Sequence, residues 1–186
     1  MNKSGQCFTD SLHLEAFYDS SINLALEFYE PCITRSKQYD RAVGSFSSGV
    51  MSLVRRSIAE FAHNDGKLRL ICSPKLSYAD IEAFEQGYLT KEQLLNSVNQ
   101  EIRSDINSAL QNPLKTPILK FVSSLIAYGC LDIKIAFSAN RVGYHEKIGV
   151  FHDFCGDTIV FYGSINESQR AWDPGGNYES FQVFTS

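Results

Sequence analysis

The sequence predicts an α/β fold, a single domain in which a mixed central β-sheet is flanked by helices. Three observations lead there. Two strand-like stretches, residues 39–46 and 68–72, bracket residues 49–64, where Val50, Leu53, Val54, Ile58 and Phe61 recur at helical spacing. That connection is long enough for a right-handed parallel crossover. Residues 131–137 alternate Leu131, Ile133, Ile135 and Phe137 against Asp132, Lys134 and Ala136, the pattern of a half-buried strand. Residues 144–151 and 158–162 are strand-like stretches joined by a short segment containing Gly156-Asp157, which reads as an antiparallel hairpin.

The other elements arrange themselves around that sheet. The first eight residues read as a weakly held terminus. Residues 21–36 carry Ile22, Leu24, Leu26, Phe28 and Tyr29 and are expected to be helical in part, with Pro31 breaking or kinking the helix. Asp65-Gly66 supplies the stop for the helix that starts near Gly49, and Ser73-Pro74 ends the strand after it. Ser77-Tyr78-Ala79-Asp80 has the form of a capping box opening a short helix that Gly87 closes. Thr90-Lys91-Glu92-Gln93 has the same form, and opens a helix bearing Leu94, Leu95, Val98, Ile102, Ile106 and Leu110 on one face. Thr116 caps a further helix with Pro117 at its first position and Gly129 past its end. Residues 167–172 suit one helical turn, 173–176 an irregular loop and 178–184 a last strand.

The composition excludes several classes. A chain of 186 residues, 44% hydrophobic and 20% charged, fits one domain with a substantial core. No apolar run approaches a membrane span, and the start lacks the basic-then-apolar pattern of a signal peptide. The five cysteines, Cys7, Cys32, Cys72, Cys130 and Cys155, are odd in number and lie singly. Neither a disulfide framework nor a zinc knuckle is expected from that, and a reducing cytoplasm is the natural compartment. The net charge of −4 is unevenly spread. Residues 74–112 hold three basic and six acidic side chains, residues 113–150 five basic and two acidic. A phosphate-directed site among acidic solvated helices is compatible with that asymmetry.

The basic stretch contains the chemistry. His145 and Lys147 are two apart, so on a strand both side chains leave the same face. Ser164 and Asn166 repeat the spacing after the next strand, and Glu179 follows on the last. An imidazole, an ammonium, a hydroxyl and a carboxamide are thus offered to one small volume. Unprotonated imidazole is a competent nucleophile near neutral pH, and the other groups supply donors for oxygens on which charge builds at phosphorus. Glu179 is placed to accept from the other imidazole nitrogen and so hold the ring. No acidic cluster of metal-ligand spacing accompanies the set, so neither metal nor cofactor is expected.

This pattern, His145-x-Lys147, then Gly163-Ser164-x-Asn166, then Glu179, resembles the signature of the phospholipase D superfamily. Asp40-Arg41-Ala42-Val43-Gly44-Ser45-Phe46-Ser47-Ser48-Gly49 and Lys67-Leu68-Arg69-Leu70-Ile71-Cys72-Ser73-Pro74 extend the likeness to a subgroup found with DEAD/DEAH-type helicases and in restriction or phage-defence nucleases. The resemblance covers about residues 39–184 of a domain spanning 1–186, and is compatible with a module excised from the start of a longer protein. It implies a phospholipase D-like fold and a metal-independent DNA endonuclease working through a phosphohistidine. The family uses two such motifs, and this chain carries one. His13, His63 and His152 lack a Lys two residues later, so the resemblance implies a homodimer with a composite site. Where the family usually places an Asp beyond the Lys, this chain has His152, with Asp153 next and expected to serve the turn.

Three further residues are candidates for substrate binding. Ser47 and Ser48 lie at a strand-to-helix turn whose amides suit a phosphate, against the plainer reading of a helix cap. Arg141 precedes the motif and suits a backbone phosphate, against a solvated loop charge. Trp172 and Tyr178 are expected to pack rather than to stack on a base. DNA, a second copy and a helicase or ATPase module are the expected partners, with no membrane. The alternatives are a DNA-holding or dimerising module without turnover, and a lipid-acting phosphodiesterase. The second lacks the basic amphipathic helix that a membrane surface would require.

Overall fold

The computed structural model of the chain describes residues 7–73, 78–94, 117–136 and 144–186. Seven strands form one sheet: β1 (Phe17–Asp19), β2 (Ser36–Val43), β3 (Lys67–Cys72), β4 (Leu131–Ile135), β5 (Lys147–Asp153), β6 (Thr158–Gly163) and β7 (Ser180–Thr185). Their order is β1-β7-β6-β5-β2-β3-β4. β2, β3 and β4 run parallel, and the remaining pairs are antiparallel. The expected mixed sheet is therefore present, with its parallel β2–β3 unit and its β5–β6 hairpin.

Alternation along the strands decides what is buried. Tyr39, Arg41 and Val43 of β2, Leu68, Leu70 and Cys72 of β3, and Gly149, Phe151 and Asp153 of β5 all point into the interior. There the apolar ones among them meet Phe28, Tyr29 and Ile33, Ile58 and Phe61, and Phe121, Leu125 and Ile126 from the helical segments in one apolar cluster. Gly149 makes room for one of the cluster's aromatic rings. A Cβ there would stand 2.1 Å from Cε1 of Phe161 on β6, so the ring lies directly across β5. Phe161 then meets Phe28 edge-on at 5.1 Å between centroids and is fully buried, worth about 2–3 kcal/mol of transfer free energy.

Several helix boundaries differ from expectation for physical reasons. Pro31 does not break its helix. Helical backbone runs without interruption from the π-turn Ala25–Tyr29 into Glu30–Arg35, and that wider turn lies just ahead of the proline, whose ring and missing N–H would otherwise disturb the i−4 ladder. The helix expected from Gly49 begins as a 3-10 turn, Ser48–Ser52, and becomes α-helical only at Arg55–His63. Asp65, at φ 60, takes the left-handed position after it, and Gly66 donates back to the Phe61 carbonyl. Gly87 does not close a helix and Thr90 does not open one, because both lie inside Tyr78–Leu94. At Gly87 a Cβ would come within 2.7 Å of Ile126 Cβ, so the glycine allows close approach to the helix Ile118–Ala127. Pro117, rather than Thr116, caps that helix. Ser77, Thr116 and the stretch from Leu95 to Leu110 lie outside the described residues. No helix among the described residues is long and apolar enough to cross a membrane.

The start of the described chain is held firmly, against expectation. Cys7 and Cys155 form a disulfide, with Cα atoms 5.6 Å apart. Phe8 is buried and its amide donates to Asp153 Oδ2 at 2.8 Å. Asp153 Oδ1 accepts the amides of Cys155, Gly156 and Asp157, each at 2.8 Å. Asp153 is thus the expected turn residue, and it also docks the N-terminal segment. The two sulfurs and this carboxylate form a grouping within metal-ligand reach, but the sulfurs are bonded to each other and four amides occupy the oxygens. Singly spaced cysteines concealed the bond because its ends are 148 residues apart. With it present, the inference of a reducing compartment loses its basis, while Cys32, Cys72 and Cys130 stay free and buried. Closing so long a loop restricts the unfolded chain, so replacing Cys7 and Cys155 by serine lowers the unfolding free energy by about 2–4 kcal/mol. A denaturant titration that finds no loss would contradict the bond.

Candidate active site

The polar set gathers at one end of the sheet, where β2 and β6 finish and β5 and β7 begin. Val43 of β2 pairs with Lys147 of β5, Ile148 with Tyr162 of β6, and Gly163 with Phe181 of β7. Register therefore sets Lys147, the Gly163–Ser164 turn and the Glu179–Ser180 step one strand spacing apart, about 4.8 Å each. Gly163 is needed for that approach, since a Cβ there would sit 2.1 Å from the Ser180 carbonyl oxygen.

His145 is not on a strand. β5 starts at Lys147 because its partner β2 stops at Val43, and His145 instead packs its Cα against Gly44. The two side chains nevertheless meet. Lys147 Nζ lies 3.1 Å from His145 Nδ1 and donates to the His145 carbonyl at 3.0 Å. Lys147 is 7% exposed whereas His145 faces solvent. Desolvation holds the ammonium's pKa below the ordinary lysine value; Glu179 pulls it up and Arg41 pushes it down.

Glu179 occupies a different place from the one expected. Its amide donates to Ser20 Oγ and its carbonyl accepts the Ser20 amide, so its backbone is tied to the residue that follows β1. The side chain then reaches β6: Oε2 accepts from Ser164 Oγ at 2.5 Å and Oε1 from Asn177 Nδ2 at 3.3 Å. Among the described residues its carboxylate makes no hydrogen bond to His145. Ser164 also accepts the Ser180 amide, at 3.1 Å. Asn166 Oδ1 accepts the Ser45 amide at 3.0 Å, which orients the carboxamide and leaves its Nδ2 donors for other use.

Of the other candidates, Ser47 and Ser48 lie in the loop that Asn166 anchors, but their amides are engaged. Ser47 donates to the Glu167 carbonyl at 2.9 Å and Ser48 to Asp80 Oδ1 at 3.2 Å. Their amides therefore offer no empty cradle for phosphate. Arg141 lies outside the described residues. Trp172 packs as expected, face to face on Tyr29 at 3.4 Å, with Nε1 donating to the Asn166 carbonyl. Tyr178 does not pack; it is 77% exposed, on the loop before β7.

Sequence reading missed the ion pair beneath the site. Arg41, fully buried, donates Nε–H to Glu167 Oε1 at 2.6 Å and Nη2–H to the Ile165 carbonyl at 2.5 Å. Tyr39 donates its hydroxyl to the same Glu167 oxygen at 2.7 Å. Burial pushes the Glu167 carboxyl up, and Arg41 and Tyr39 pull against it. The signal available was an arginine at a position whose strand neighbours Tyr39 and Val43 are apolar.

No known protein family's profile matches the chain, and no curated protein does. Among solved structures, the chain is similar to NucT from Helicobacter pylori at 19% identity and TM-score 0.43, over 91% of this chain and 85% of that one. It is also similar to yeast tyrosyl-DNA phosphodiesterase at 6% identity and TM-score 0.44, over 80% of this chain and 25% of that one, so it spans a quarter of that protein. At TM-scores below 0.5 neither likeness bears on what this chain does, and its own side chains must carry the case.

An ammonium that must stay charged while partly desolvated sets an upper pH limit. If Lys147 serves anion binding, the alkaline limb of a pH profile for phosphate binding or turnover falls below the ordinary lysine value. Protection of His145 from diethyl pyrocarbonate by inorganic phosphate, followed against pH, measures it. Protection that persists unchanged beyond the lysine range would contradict the role.

Proposed function

We propose that this chain is a metal-independent phosphodiesterase of the phospholipase D superfamily, acting on DNA as an endonuclease. The observation that supports it most is the pairing of Lys147 Nζ with His145 Nδ1 at 3.1 Å, one strand away from the Ser164–Glu179 hydrogen bond. An exposed imidazole backed by a partly desolvated ammonium suits an anionic ester better than a neutral one.

The resting contact also states what substrate has to do. While the ammonium donates to Nδ1, a neutral imidazole carries its proton on Nε2, the atom that should attack. A phosphate oxygen competes for Lys147, frees Nδ1 to carry the proton, and leaves the Nε2 lone pair facing phosphorus. Nε2 then forms the N–P bond as the bond from phosphorus to the leaving oxygen breaks. Lys147 and the Asn166 Nδ2 donors stabilise the non-bridging oxygens. The proton for the leaving oxygen comes from the imidazolium of a second copy's motif, since this chain carries one. Water then cleaves the N–P bond, gives its proton to that second imidazole, and restores both. A DNA-cleaving dimer of this kind suits restriction or phage defence, alone or beside a helicase or ATPase module.

The test is cleavage of single- and double-stranded DNA in excess EDTA by wild type and His145→Ala, with a solution mass on the same samples. Cleavage by a dimer, lowered about a thousandfold or more in the variant, is expected. A strict monomer, or wild type inert on every DNA form, would contradict the reading.

A further inference from the structure

We propose that the buried Arg41–Glu167 pair is a positioning device for this reaction, holding the segment Ser164 to Glu167 in place against Lys147. This rests on the phosphodiesterase reading above and adds two residues to it, neither of which touches substrate.

The contacts converge on three consecutive residues, Ile165 to Glu167, directly after Ser164. Arg41 Nη2 holds the Ile165 carbonyl and Arg41 Nε the Glu167 carboxylate. The Glu167 carbonyl accepts the Ser47 amide, and Phe46 and Glu167 form a parallel bridge. Asn166 holds the Ser45 amide with its side chain and the Trp172 indole with its carbonyl. The segment is therefore pinned from β2, from the loop after β2 and from Trp172, while its two functional side chains extend toward the sheet end. The anchor on the other side lies in the sheet. Arg41 stands opposite Gly149 in the β2–β5 ladder, two residues along β5 from Lys147, and its guanidinium lies 4.8 Å from the Phe161 ring centre. A single side chain on β2, the strand paired with the one bearing Lys147, thus reaches the turn bearing Ser164 and Asn166.

Stability alone does not account for such a pair. Taking two charges out of water costs several kcal/mol each, and an apolar replacement of similar volume is often neutral or stabilising. What an apolar cluster lacks is direction: it cannot fix a carbonyl and a carboxylate in two defined hydrogen bonds. Positional error at a catalytic group is expensive, with displacement of about 1 Å costing about a hundredfold in rate. Arg41 also places a fixed positive charge near Lys147, one of the influences that hold the lysine's pKa down.

Three variants test this beside wild type in EDTA: Arg41→Lys, the apolar set Tyr39→Phe with Arg41→Met and Glu167→Leu, and Glu167→Gln. Folding is followed by thermal melts, and kcat, KM and the pH profile of DNA cleavage are measured. Arg41→Lys keeps the charge but cannot make both bonds, so kcat falls about 10–100-fold with KM within about threefold and the alkaline limb unmoved. The apolar set loses at least as much, and its alkaline limb moves to higher pH because Lys147 no longer faces a second cation. Glu167→Gln keeps an acceptor for Arg41 and Tyr39 but strips the guanidinium of its counter-charge, so it melts below wild type and, where folded, keeps kcat above that of Arg41→Lys because both directed bonds remain. A folded Arg41→Lys or apolar set with kcat within about threefold of wild type overturns the proposal. So does failure of both to fold, which would make the pair a folding element. An inert wild type instead overturns the function on which the proposal rests.

Discussion

The structure depends most on a side chain that strand alternation directs inward although its chemistry directs it outward. Arg41 lies in the apolar interior because β2 has Tyr39 and Val43 on the same face. It is tolerated there because Glu167, the Ile165 carbonyl and the Phe161 ring surround it. Phe161 in turn needs Gly149 beneath it. Removing one member of such a set leaves an uncompensated buried charge, which costs far more than the pair contributes. The constraint therefore couples the centre of the sheet to the turn after β6, and through that turn to the sheet end where the exposed imidazole sits.

The site itself is arranged as two hydrogen-bonded halves. Lys147 faces His145 on one side, and Glu179 gathers Ser164 and Asn177 on the other. In this resting arrangement Lys147 and Ser164 donate to neighbours, while the Asn166 Nδ2 donors are left over. An anion that draws Lys147 away from Nδ1 changes the tautomer of His145 by the same movement. On the proposed mechanism, binding and activation are thus one event. For Ser164 to donate to a phosphate oxygen, its hydrogen must likewise leave Glu179.

Much of this was legible in the residues, and the failures are instructive. The hairpin and the parallel β2–β3 unit followed from local pattern, because turn chemistry and period-two alternation act over a few residues, and the turn role of Asp153 followed from the family resemblance. What acts across the chain did not show. The Cys7–Cys155 bond joins ends that local spacing cannot relate. The single helix Tyr78–Leu94 overrides two capping signals because Gly87 meets Ile126 from another helix. Spacing correctly brought Lys147 and His145 together but through the wrong geometry, since β5 lacks a ladder partner at His145. Chemistry alone paired Glu179 with His145, whereas the tie to Ser20 sends its carboxylate to Ser164.

The central claim is that His145 forms a bond to phosphorus. Rapid acid-free quenching of wild type with a phosphodiester substrate, followed by peptide mapping under alkaline conditions, reads that bond directly. The account predicts a phosphoryl adduct on the peptide carrying His145, stable to base and lost in acid. Turnover of substrate with no adduct on that histidine, under conditions that trap the steady state, would contradict it.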